Sequence, residues 1–397
     1  GSALSDPKEE NMKEDQVYKD RRYRINELRA KNEKMTSRER CLKAINFEEA
    51  DRIPIDNWMV PEIKKRCMEY WGCESEEELL AFLGVDVRDN YGPSYVGQAF
   101  KTFDDGTVAD LWGVRRKVVV YGKGTAHEGI FKEVAWSPLE HMTTVAEIES
   151  YANWPSPSWW DYSKMKQECV YWHPQYFVLN KGDRLDRTAQ LKPMMYLRGI
   201  QQTFIDLARN PEIVECIRDH VVNYFLEYNP KVFEAGGGEI DMFMMGDDMG
   251  GQRGPLISVD MWRRYFGDAF RKYCDIAHKY GLKVMYHTCG DVYQLIPDFI
   301  KNGLDMLQSV QPEATNMDIK RLKQEFGKDL SFQGGMSIQQ VLPLGTVEDV
   351  KKMVKYAADN AKHGGGYIFG TAHNIQADTP MENVAALFES YHEYGVY

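Results

Sequence analysis

The chain has no apolar run long enough to span a bilayer. Its longest stretches, such as VVNYFLEY and KVVVYG, fall well short of the roughly 20 residues such a span needs. Residues 1–35 are highly charged rather than apolar, so no secretory signal is read there and a cytoplasmic location is expected. There is no block of Lys or Arg. The 49 basic and 60 acidic side chains leave a net charge of −11, which argues against nucleic acid or an anionic membrane as partner. Paired cysteine motifs are missing too. The 7 cysteines are an odd number, scattered without a CxxC, as in a large protein kept reduced. Any metal site must therefore be assembled from distant segments. No G-x-G-x-x-G follows a strand candidate, which weakens a dinucleotide-binding fold.

What is present is a full-sized globular composition, 43% hydrophobic over 397 residues. Residues 1–35 predict a charged, partly helical extension. In MTSRERCLKAINFEEADRIPI, Thr36 and Ser37 are capping candidates with Glu39 just beyond, so a helix starts here and runs into a short strand near residue 53. ESEEELLAFLG reads as a helix and VDVRDNYG as a strand near residue 86. Residues 97–185 contain a β-ribbon pattern (LWGVRRKVVVYG, IFKEVAWSPL) followed by Trp- and Pro-rich sequence, and read as an excursion from the main domain. Beyond residue 190 helical patterns at 198–209, 211–234, 258–280, 292–302, 317–326 and 346–362 alternate with short apolar runs, the signature of buried parallel strands. Five such runs, with strands near 53, 86 and 193, predict a single α/β (β/α)8 TIM barrel over residues 36–397, with a β-ribbon insertion.

In a barrel the chemistry belongs at the C-terminal strand ends. Those ends carry Asp56 and Asn57, Asn90 and Tyr91, Asp247 and Asp248, His287 and Cys289, Gln311 and Glu313, then His373 and Asn374. His287 and Cys289 are two apart, so on an extended backbone both side chains face the same way and reach one ion. The same pair is equally a buried thiol beside a hydrogen-bonded imidazole. His373, at the end of the last strand, adds a third donor. Three protein ligands with a free fourth place is the arrangement of a catalytic zinc; the other role for His373 is to hold a substrate carboxylate. Asp247, Asp248 and Glu313 are acid/base candidates, although adjacent strand residues face opposite ways, so one of the two aspartates should reach the site. Trp58, Tyr91, Trp159, Trp160 and Trp172 are candidate walls for a flat substrate, with Asn90 and Asn374 as polar contacts.

RERCLKAINFEEADRIPI, MGDDMGGQRGPLIS, YHTCGDVYQLIPDF and GGGYIFGTAHNIQADTPMENV resemble the uroporphyrinogen decarboxylase superfamily, from about Met35 to the C-terminus and most strongly after Ile240. That resemblance implies two chemistries. True decarboxylases carry an arginine-rich segment soon after the first strand; here IDNWMVPEIKKR has none. The other branch, cobamide-dependent methyltransferases, binds zinc through H-x-C and a later cysteine. Here His287 and Cys289 match the pair, and His373 stands where that cysteine would be. One thiolate instead of two leaves the zinc a stronger Lewis acid, suited to an ether or phenolate oxygen. The implied activity is O-demethylation of a methoxylated aromatic, with the methyl group passing to cob(I)alamin. The corrinoid-binding D-x-H-x-x-G signature is absent, so the cobamide is expected on a separate corrinoid protein. A metal-free porphyrinogen decarboxylase, a methylcobamide:thiol methyltransferase and a non-catalytic corrinoid chaperone are the alternatives. A homodimer is left open.

Overall fold

Alternating apolar runs and amphipathic stretches become a parallel sheet flanked by helices. The computed structural model describes residues 7–124, 128–182 and 187–397. Its strands are β1 (Val87–Asn90), β2 (Ser94–Tyr95), β3 (Val108–Ala109), β4 (Arg115–Tyr121), β5 (Gly129–Trp136), β6 (Trp160–Asp161), β7 (Phe177–Asn180), β8 (Met242–Gly246), β9 (Lys283–His287), β10 (Met306–Val310), β11 (Ser331–Met336) and β12 (Tyr367–Thr371). One seven-stranded sheet runs in the order β1-β7-β8-β9-β10-β11-β12, with every neighbouring pair parallel.

The sheet curls until its two edges meet across the Ile53–Met59 segment. Ile55 bridges Phe369 and Met59 bridges Ile375, both in parallel. The Phe369 N–H donates to the Pro54 carbonyl, and the Asp86 N–H to the Ile55 carbonyl, each at 2.8 Å. Pro54 has no N–H to offer a ladder, which is why this segment makes isolated bridges where a regular strand was expected.

Two expectations are corrected here. The strand placed near residue 193 is a helix, α7 (Leu191–Arg198). The missing strand is β7, inside the region read as an excursion. Its apolar core is only Phe177-Val178-Leu179, too short to stand out beside the Trp-rich sequence before it. In α7 the run Met194–Leu197 is apolar enough to resemble a strand, but Pro193 sits in the first turn, where a helix tolerates it.

The remaining labelled helices are α1 (Pro7–Asn32), α2 (Ser37–Ile45), α3 (Pro61–Trp71), α4 (Glu76–Leu83), α5 (Val145–Glu149), α6 (Met165–Trp172), α8 (Ile200–Arg209) and α9 (Pro211–Gly236). Thr36 and Glu39 form a reciprocal capping box at the start of α2. The charged α1 lies against α3 and α4. Arg22 donates to the Trp71 and Gly72 carbonyls at 2.6 and 2.8 Å, and Ile25 and Leu28 are buried beneath the helix. Between β1 and β7 the chain forms the antiparallel sheet β3-β4-β5.

Strand alternation divides the core. Met242, Met244, Met285, Met306, Leu179 and Ile368 pack with Val87, Phe177 and Trp58 inside the curl. Their neighbours Phe243, Met245, Val284 and Tyr286 point out to the helices. Met285 and His287 lie on the same face of β9, so the apolar filling of the curl ends at an imidazole.

Candidate metal and substrate site

At the C-terminal end of β9 the chain turns sharply. Gly290 has φ of +80°, and an added Cβ there would lie 2.5 Å from the Gly250 backbone. This close approach holds Cys289 beside His287. The Cys289 Sγ is 3.6 Å from the His287 Nε2 and 3.9 Å from the Ser309 Oγ. His373, just after β12, faces the same point, its ring centroid 5.8 Å from that of His287. One donor atom from each of His287, Cys289 and His373 lies within 4.8 Å of the others.

His287 is oriented from both sides. Its Nδ1 hydrogen-bonds Gln308 Oε1, from the residue paired with it in register on β10, which leaves Nε2 toward Cys289. The Trp58 ring stacks on it at 5.6 Å. Burial, reinforced by the positive Arg187, holds the imidazole well below its ordinary value, so it is neutral as a ligand must be. Burial and the Asp248 carboxylate push the Cys289 thiol up to about 11.

The two aspartates, just past the end of β8, diverge. Asp247 is buried and accepts the Gln190 and Lys192 N–H groups at 2.9 and 2.7 Å, supplying the start of α7 with its missing acceptors. Burial pushes it up to about 7 against the pull of those two donors. Asp248 turns toward the site and pairs with Lys192 Nζ at 2.6 Å. Glu313 is engaged elsewhere: its carboxylate accepts from the Ser337 hydroxyl and its carbonyl from the Gln252 amide. Asn90 accepts from Asn180 at 3.0 Å and from the Gly92 N–H at 3.1 Å. Asn374 is half-buried, and its carbonyl accepts from Gln376.

A cavity of about 210 Å³ opens beyond the end of β7. Tyr91, Trp160 and Tyr228 line it with Lys181 and Arg187. A small cleft holding Arg187, Lys192, Tyr196 and His287 continues from it, so Arg187 belongs to both. Lys181 lies 4.3 Å over the Trp58 ring. Sequence reasoning missed these cations. Lys181 follows the strand that was overlooked, Arg187 precedes the segment near residue 193 that was read as a strand, and Lys192 lies within it. Gln308 could have been found only from the β9–β10 register.

The sequence profile for uroporphyrinogen decarboxylase (URO-D) matches residues 189–394, just over half of the chain. The chain is 24% identical over 199 residues to the methylated-thiol–coenzyme M methyltransferase of Methanosarcina mazei, a match covering 50% of each protein. It is 22% identical over 197 residues to the uroporphyrinogen decarboxylase of Coxiella burnetii, covering 48% of this chain and 50% of that one. The chain thus spans about half the length of the curated relatives it matches. A solved methyltransferase structure from Methanosarcina mazei superposes with a TM-score of 0.60 at 18% identity, over 91% of this chain and 99% of that chain. That is a likeness of fold.

Proposed function

The chain belongs to the uroporphyrinogen decarboxylase family, and we propose that it is a zinc-dependent methyltransferase that takes a methyl group from a methoxylated aromatic and passes it to cob(I)alamin on a separate corrinoid protein. The fold is read accordingly as a (β/α)8 barrel whose first strand is reduced to the Ile53–Met59 bridges. The observation that carries the proposal is the convergence of His287, Cys289 and His373 at the strand ends. The donor set fits zinc: two imidazoles, one thiol, and an acceptor on Gln308 that fixes the His287 tautomer. Zinc held there supplies a Lewis acid for the oxygen that leaves the methyl carbon.

The chain's own residues do the rest. Lys192 and Arg187 face His287 across the small cleft and favour negative charge on the departing oxygen. Asp248 holds the Lys192 ammonium in place. Asp247 positions α7, and with it Lys192. The aromatic cavity takes the ring of the donor. Its volume of about 210 Å³ compares with the roughly 150 Å³ that encloses benzene, so it suits one substituted ring.

The cations Lys181, Arg187 and Lys192 also favour a second reading, a metal-free decarboxylase gripping substrate carboxylates. The cavity's size weighs against a tetrapyrrole.

Zinc per chain tests the proposal. Cys289→Ala and His373→Ala should each carry one equivalent less than the wild type, and both should fail to demethylate methoxyarenes with cob(I)alamin as acceptor. Equal zinc in all three chains would remove the site. Turnover of methylated thiols but not methoxyarenes would move the protein to sulfur donors.

A further inference from the structure

A second set of metal-type donors lies away from the strand ends, where α5 crosses α9. Cys216 and His220 are four residues apart on α9, so they share one face of the helix. Glu149, the last residue of α5, lies over both. Its Oε1 is 3.3 Å from the Cys216 Sγ and its Oε2 is 3.2 Å from the His220 Nε2. One donor atom from each of the three lies within 4.8 Å of the others.

We propose that Glu149, Cys216 and His220 form a second metal site, for a zinc-class divalent ion, that clips the insertion between β1 and β7 onto α9. The Glu149 carboxylate already reaches both partners, one oxygen to the thiol and the other to the imidazole, and one donor atom from each of the three residues falls within 4.8 Å of the others. Bond lengths of about 2.0–2.3 Å from zinc to N, O and S place neighbouring donors roughly 3.3–3.7 Å apart. Closing that 4.8 Å spread onto one ion asks for a turn of the exposed Glu149 carboxylate and side-chain adjustment of Cys216 and His220. A thiol with an imidazole selects zinc-class ions over magnesium or calcium, whose ligands are oxygen.

The surroundings hold the donors in place. The Trp154 ring stacks on the His220 imidazole at 4.1 Å, with 4° between the planes. Glu149 is fixed from its own helix, where Thr144 and Glu147 form a capping box and Ile148 is fully buried. Binding exchanges the Cys216 S–H···Glu149 hydrogen bond for a metal–thiolate bond and releases the thiol proton to solvent. Glu149 is exposed, so water completes the coordination and the ion exchanges more readily than in a closed four-ligand site. The clip would steady the insertion that supplies Tyr91 and Trp160 to the aromatic cavity.

The test uses the full chain with Cys289→Ala, which disables the strand-end cluster. After chelation and reloading with Co2+, the desalted protein should retain one equivalent and show a thiolate-to-cobalt absorption band in the near ultraviolet. Both should vanish when Cys216→Ser or His220→Ala is added, with the circular dichroism unchanged. Glu149→Gln, an exposed and conservative change, should weaken retention without affecting folding. No retained cobalt in the Cys289→Ala chain, or a band indifferent to Cys216→Ser, would overturn the clip and leave the three residues as a hydrogen-bonded group. Failure of the strand-end site reads differently: wild type and Cys289→Ala would then hold equal metal.

Discussion

In the proposed zinc site His287 is set up as a ligand because Gln308 accepts from its other nitrogen. Gln308→Leu should lower zinc affinity at the strand-end site by about 10- to 100-fold, the usual cost of losing such a partner. Competition with a chromophoric chelator measures this; unchanged affinity would show that the Trp58 stack alone orients the ring. Gly290 is the other residue whose identity the site demands. A side chain there meets the Gly250 backbone and must also adopt a φ that L-residues rarely accept. Gly290→Ala should cost roughly 1–3 kcal/mol in urea unfolding and displace Cys289, with loss of one zinc equivalent. The His287–Cys289 pair could be picked out in the sequence because a two-residue spacing is a local fact, whereas His373 entered through the expected strand order and the family resemblance; the structure brings one donor-type atom of each within 4.8 Å of the others. Gln308, Lys181, Arg187 and Lys192 could not be picked out, because their relevance depends on which segments become neighbours.

Among the elements, the weak link in the ring of strands is Ile53–Met59, and a buried ion cluster compensates beside it. Asp86 is fully buried; it accepts from the Ile55 N–H at 2.7 Å, from Arg40 at 2.6 Å and from Arg52 at 2.8 Å. One carboxylate thus ties α2, the bridging segment and the start of β1 together. Burial alone would raise its pKa, but Arg52 and Arg40 hold it well below the usual carboxylate range. Asp86→Asn leaves two buried guanidinium groups short of charge and should cost about 3–5 kcal/mol. Denaturant unfolding would show it, and a loss under about 1 kcal/mol would mean that the other carboxylates on these arginines, Asp51 at 2.6 Å from Arg40 and Glu33 at 2.7 Å from Arg52, take over. The sequence showed a capped α2 and apolar runs for most strands. It misled at residues 177–198, where a three-residue apolar core became a strand and a longer apolar run became a helix. Burial against neighbours decided there, not run length.

For the whole molecule, acid should act through groups that cannot protonate in the fold. Burial and the nearby Arg52 hold His392 down to about 3, while an unfolded histidine titrates near about 6.5. Below that value the unfolded chain takes up a proton that the folded chain refuses. The stability His392 contributes is present above about 6.5 and lost as pH falls toward 3, by up to about 1.4 kcal/mol per pH unit. His392→Gln should flatten the pH dependence of urea midpoints between 6.5 and 5. An unchanged slope would place the acid sensitivity elsewhere. Asp86 acts in the same direction at lower pH, its contribution being lost only below the ordinary aspartate value. No helix among the described residues is long and apolar enough to cross a membrane. The sequence by itself determined the α/β class, most of the strands and the His287–Cys289 spacing, because periodicity and residue chemistry are carried by the chain locally. Only the tertiary structure decided that Asp247 caps a helix while Asp248 pairs with Lys192, that Lys181, Arg187 and Lys192 line the cavity and cleft at the strand ends, that His373 meets His287 and Cys289, and that Glu149 lies over Cys216 and His220. Those relations join residues far apart in the chain, and packing alone brings them within reach of one another.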